Sequence, residues 1–162
     1  MKAELSALRL QGSAAADNFQ LGDMSWQLND HARVHYLENG LRDLRVAADA
    51  LDTVQITGTV DLPGELRIDG GTLTAESDAL IRSAGLNLQN TQEVATEAAP
   101  LRLDISHLTL AGSIGPVYLH ELNNLNLANV GSTGAVSITV ENGDLTQSGP
   151  AITKGAWNLT AL

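Results

Sequence analysis

The chain has 162 residues; 43% are hydrophobic but only 3% aromatic, and nineteen Asp plus Glu against nine Lys plus Arg leave a formal net charge of −10. That length sets the expectation of one domain with a substantial core, and the acidity argues against nucleic acid or an anionic membrane as partner, since both require basic patches. The absence of cysteine excludes a disulfide framework and thiolate zinc sites, and no apolar run approaches the ~20 residues of a transmembrane helix.

From the start, Lys2-Ala3-Glu4-Leu5 carries no signal-peptide pattern, so the signal of an exported parent is expected outside this chain. Leu8-Arg9-Leu10 and Val34-His35-Tyr36 are the first alternations of apolar and polar residues. The stretch from Leu37 to Leu51 is the best helix candidate, but Gly40 and the run Leu44-Arg45-Val46 favour strand–turn–strand. Alternation then recurs at Val54-Gln55-Ile56, Leu66-Arg67-Ile68, Leu86-Asn87-Leu88, Leu101-Arg102-Leu103, Leu108-Thr109-Leu110, Val117-Tyr118-Leu119, Leu125-Asn126-Leu127, Val136-Ser137-Ile138 and Trp157-Asn158-Leu159. A period of two marks strands with one buried face. Turn residues fill the gaps, as in Asp69-Gly70-Gly71, Gly131-Ser132-Thr133-Gly134 and Asn142-Gly143-Asp144. Residues 90–100, reading NTQEVATEAAP, are expected to form a longer loop.

Short, evenly spaced strands fit a sandwich, a barrel or a solenoid. The strands are brief, and their outward positions are rich in Thr, Ser, Asn and Gln. About sixteen of them would overfill a sandwich whose sheets hold ~5–6 strands each. Small aliphatics with a single Phe, Phe19, also suit a narrow, layered interior. The expectation is an all-β single parallel β-helix over residues 1–162, with about five to six coils and a length of roughly 25 Å.

The phrase from Asn142 to Gly149, NGDLTQSG, followed by Ala151-Ile152-Thr153, resembles a repeat of filamentous-haemagglutinin-like bacterial exoproteins and large adhesins. The run Pro116 to Leu122, then Leu125-Asn126-Leu127, then Gly134 to Ile138, resembles one of their coils. The run Gly12 to Phe19, then Val34-His35-Tyr36, then Leu41 to Val46, resembles another recurrent segment of giant exoproteins. The resemblance touches most of the chain. It implies a right-handed β-helix, export to the cell surface or medium, and a role as stalk or adhesive surface. It implies no particular ligand. The chain departs from calcium-binding repeat toxins in lacking their glycine–aspartate nonapeptide array.

Chemical constellations are sparse. His31 and His35 would pair on a helix, but Val34-His35-Tyr36 reads as strand, so no metal site is expected. His107 and His120 fall at outward positions. Asp49 and Asp52 are close in sequence, and Asp61, Asp69 and Asp78 follow on later coils; paired acids serve glycoside hydrolysis, yet scattered solvated acids are the expected reading. Ser13, Ser25, Ser77 and Ser148 lack the context of a nucleophile elbow. Trp26 and Trp157 are expected to pack or cap. Asn87, Asn123, Asn124, Asn126, Asn129, Asn142 and Asn158 are expected at corners and in hydrogen-bonded ladders.

The expectation is therefore a non-enzymatic structural or adhesive segment of a longer exoprotein, extracellular or displayed on a bacterial surface. No catalytic, cofactor-binding or metal residue is expected. The partners expected are neighbouring coils of the parent chain, a host-surface or matrix glycan or protein, and further copies joined end to end. The alternative is a periplasmic β-groove that carries lipid, as in the AsmA-like families, whose repeats also show short aliphatic strands; a polysaccharide-binding or polysaccharide-cleaving β-helix comes after it. Thr57-Gly58-Thr59 and Thr72-Leu73-Thr74 are too few and too irregular for an ice-binding array.

Overall fold

A computed structural model describes residues 8–11, 32–36, 44–48, 53–56, 59–61, 64–112, 114–132, 134–149, 151–153 and 156–162, with side chains for 53–56, 59, 64–112, 114–131, 134–149 and 156–162. Among the described residues there is no helix. Sixteen strands follow one another: β1 Leu8–Gln11, β2 Ala32–Tyr36, β3 Leu44–Ala48, β4 Thr53–Ile56, β5 Thr59–Asp61, β6 Glu65–Asp69, β7 Thr72–Ala75, β8 Leu80–Gln89, β9 Glu93–Val94, β10 Leu101–Ala111, β11 Val117–Glu121, β12 Leu125–Ser132, β13 Val136–Val140, β14 Leu145–Gln147, β15 Ala151–Thr153 and β16 Trp157–Ala161. All eleven alternating triplets picked out above fall inside strands. From β3 onward the strands wind into a parallel β-solenoid of about five coils. Side chains hydrogen-bonded between neighbouring coils are 19 to 22 residues apart.

Three ladders run along the solenoid. The first stacks β4 on β7, β7 on β9 and β9 on β11. The second stacks β5 on the start of β8, that on the start of β10, and that on the end of β11. From β11 onward these two ladders are one, because β11, β13 and β16 each span both faces. The third stacks β3, β6, the later half of β8, the later half of β10, then β12 with β14 and β15 beyond it. The stretch 90–100 contains β9 and then a turn at 95–100, closed by reciprocal backbone bonds between Thr96 and Ala99 at 3.3 and 3.2 Å.

Period two decides the interior. Leu66, Leu86, Leu108 and Leu127 share one register column, and Ile68, Leu88, Leu110 and Val130 another; none of the eight is more than 3% exposed. Each such side chain contributes about 1.5–3 kcal/mol by leaving water. β8 and β10 are long because each turns the corner between the second and third ladders without breaking. In β10 the outward pair Ser106 and His107 interrupts the alternation, so that Leu108 faces inward again. One residue out of phase would turn every later side chain to the wrong face.

The parallel winding does not extend to the first two strands. β1 pairs antiparallel with β4, and β2 pairs antiparallel with β3. Apolar–polar alternation is the same in either direction, so this difference from the expected all-parallel arrangement was invisible in the pattern. Two glycines in the left-handed region, Gly70 at φ 87° and Gly71 at φ 71°, make the tight turn from β6 to β7.

Candidate functional site

Asp49, Asp52, His31, Ser13, Ser25 and Trp26 lie outside the described residues. His35 sits in β2 opposite Arg45 of β3, so it stands on a strand, as its neighbours in sequence suggested. Asp61 ends β5 in the second ladder and Asp69 ends β6 in the third, which places these two acids on different faces. Asp69 accepts a hydrogen bond from Asn90 Nδ2 at 3.1 Å, and Asp78 is exposed in the turn before β8. Ser77 is exposed in the same turn, and Ser148 accepts from Asn126 Nδ2 at 2.8 Å. Trp157 shares the inward column of Val136 and packs, partly buried, against the core. Among the described residues, no three His, Asp or Glu side chains come together as metal ligands would.

The asparagines behave differently from the expected ladders. Asn123, Asn124 and Asn142 lie in the corners between strands, as expected, whereas Asn87, Asn126, Asn129 and Asn158 lie within strands. The bonds across coils join asparagine to other residue types, with Asn87 Nδ2 donating to Glu65 at 3.5 Å and Asn123 Nδ2 to Asp104 at 2.9 Å. The asparagine in the left-handed region is Asn90, at φ 51°.

The outward face of the third ladder is a lattice of polar side chains tied across coils. Arg67 donates to Gln89 at 2.8 Å, and Gln89 donates to Asn87 at 3.4 Å. The His107 ring lies against Gly85, where a Cβ would collide with it, and thereby reaches Glu65 two coils away at 3.5 Å. On the merged face, His120 meets Glu141 at 3.1 Å. These half-exposed pairs add little stability individually.

The unusual chemistry lies inside. The column Ile81, Leu103, Val140 is apolar except for its third member in order, Glu121, which lies between Leu103 and Val140 and is 0% exposed. The reason is visible in the ladder. Leu103 pairs with Glu121 and His107 with Asn126, but no register pair joins the coils between these points. The last backbone bond before the gap is Leu122 N to Leu103 O at 2.9 Å, and beyond it the Ile105 N–H is taken by the Glu121 carboxyl group. Ile105 N donates to Oε1 at 3.3 Å and to Oε2 at 3.2 Å, and Asn123 N donates to Oε1 at 3.1 Å. Burial is the main force on the acid and pushes its pKa up to about 7; the N–H groups of Asn123 and Ile105 oppose the rise, and the nearby Asp104 carboxylate adds to it.

A carboxyl with a raised pKa beside a second carboxylate is also the arrangement of a general acid and its partner. Here it has no access to substrate: Glu121 is wholly covered and both its oxygens are engaged by backbone. Asp104, on the outer side, is held by Arg82 at 3.2 Å and by Asn123. What the corner can do is bind a proton and fasten two coils. Sequence reading passed over Glu121, although the signal was present: alternation through Val117, Leu119 and Glu121 already put the acid on the inward face.

No protein family, curated protein or solved structure matches this chain.

Proposed function

We propose that this chain is a non-enzymatic structural or adhesive segment of a longer bacterial exoprotein, displayed on the cell surface or released from it. The observation that carries this reading is the filled interior. Leu73, Leu103 and Leu108, inward side chains of the first, second and third ladders, are 0–1% exposed because they belong to one packed apolar core. A lipid-carrying groove needs an apolar inner face left open to its ligand, whereas this face is closed by its own side chains. A filled, layered core with a polar exterior suits a rod that spaces or presents surfaces. The phrases resembling filamentous-haemagglutinin-like exoproteins point the same way.

Antibodies raised against the folded chain test the reading. They should label intact cells of the source bacterium, and external protease should remove the label. Labelling only after permeabilisation, or lipid recovered in an organic extract of the purified chain, would favour the periplasmic groove instead. Turnover on a polysaccharide panel that is lost on replacing Asp49 and Asp52 by Asn would overturn the non-enzymatic reading.

A further inference from the structure

We infer that the Glu121 corner is a proton-operated latch: it fastens the coil containing β10 to the coil of β11 and β12 while the Glu121 carboxyl is protonated, and releases that corner when the proton is lost to water. Three observations carry this. Glu121 is the polar member of an otherwise apolar inward column and is fully covered. Its oxygens are the acceptors for the N–H groups of Ile105 and Asn123, at the point where the backbone ladder between the two coils is interrupted. No cationic side chain among the described residues is hydrogen-bonded or ion-paired to it.

The charged groups around it do not neutralise it. Asp104 of β10 approaches from the neighbouring coil and turns outward to Arg82 of β8. Arg102 of β10 is paired in register with His120, in the outward row. His120, on the strand of Glu121 itself, is taken by Glu141, which follows β13. An ionised Glu121 is therefore a buried anion next to a second anion, an arrangement that low polarity makes costly. Its escape is rotation past Asp104 into water, and that motion strips Ile105 N and Asn123 N of their acceptor. With the pKa raised from 4.5 in water to about 7 in the closed corner, release grows as pH rises between those values and levels off above them.

Amide hydrogen exchange of the whole chain, followed residue by residue by NMR between about pH 5.5 and pH 8.5, tests it. The amides of Leu110 and Val130 serve as internal references for the intrinsic rise of exchange with pH. Relative to them, Ile105 and Asn123 should lose protection by about tenfold or more across that range, and in Glu121→Gln the relative protection should stay constant. Asp104→Asn keeps the acid and removes the neighbouring charge, so its midpoint should move to higher pH than an isolated carboxyl but lower than that of the native chain. Parallel behaviour of Ile105 and the reference amides, persistence of the transition in Glu121→Gln, or an unmoved midpoint in Asp104→Asn would each overturn the latch.

Discussion

Glu121 holds the backbone N–H of Ile105 with both carboxyl oxygens, at 3.3 and 3.2 Å, across the corner between neighbouring coils. Its pKa is raised from 4.5 to about 7, so between those values the folded chain binds more protons than the unfolded one. Linkage then requires stability to fall as pH rises from 4.5 to about 7 and to level off above it. The full effect is of order 3 kcal/mol. Glu121→Gln should remove this component of the slope and be the more stable protein at about pH 8, its amide able to donate to Asp104. Urea unfolding at mildly acid and mildly alkaline pH measures it, and an equal slope in both proteins would count against the assignment.

Inward and outward positions should differ sharply in cost. Leu103 and Ile138 are fully buried, and replacing either by Ala should cost roughly 2–5 kcal/mol. Thr109 lies on the outward side of β10, and Thr109→Ala should stay near ~0.5 kcal/mol. Chemical denaturation of the three variants decides it; similar losses at all three would contradict the packing.

How much of this was legible beforehand follows from what alternation encodes. Leu66-Arg67-Ile68 and Val136-Ser137-Ile138 announce which side chains enter the core, because strand geometry permits one arrangement per phase. They carry no information on strand direction, which is why the antiparallel β1 and β2 were not foreseen. Corners are harder to read. The reset at Ser106 and His107 needs no glycine or proline, and so leaves no punctuation in the sequence. Glu121 was overlooked for a different reason: composition says an acid belongs outside, and here phase overrode composition because Ile105 needed an acceptor.

Two glycines should respond differently to the same added methyl. A Cβ on Gly85 would meet the His107 ring, a side chain able to swing away, whereas a Cβ on Gly115 would meet the backbone carbonyl of Gln92. Gly85→Ala should cost about 1 kcal/mol or less, through loss of the weak contact between His107 and Glu65. Gly115→Ala must displace main chain and should cost more than ~2 kcal/mol. Thermal unfolding of the pair checks the order, and the reverse ranking would contradict it.

The 162-residue chain should self-associate through β16. Among the described residues this strand pairs only with β13, and Leu159 and Leu162 nearby are 43% and 77% exposed. An unpaired edge flanked by apolar side chains is a template for another strand, while a net charge of −10 holds copies apart until salt screens it. Sedimentation velocity should show association that grows with concentration and ionic strength and is suppressed by Leu159→Lys. A single monomeric species at every salt level would show that this edge is not adhesive.

The ladders keep their register while the coils that carry them change length. A turn at 95–100 separates β9 from β10, yet one coil later β11 runs unbroken from Val117 to Glu121 through the equivalent corner, and Val117 still meets Val94 while Leu119 still meets Leu101. Whatever divergence inserts or removes at that corner leaves the stacking partners untouched. The molecule thus repeats in space without repeating at a constant interval along its chain, and a search for self-similarity at one fixed period would pass over it.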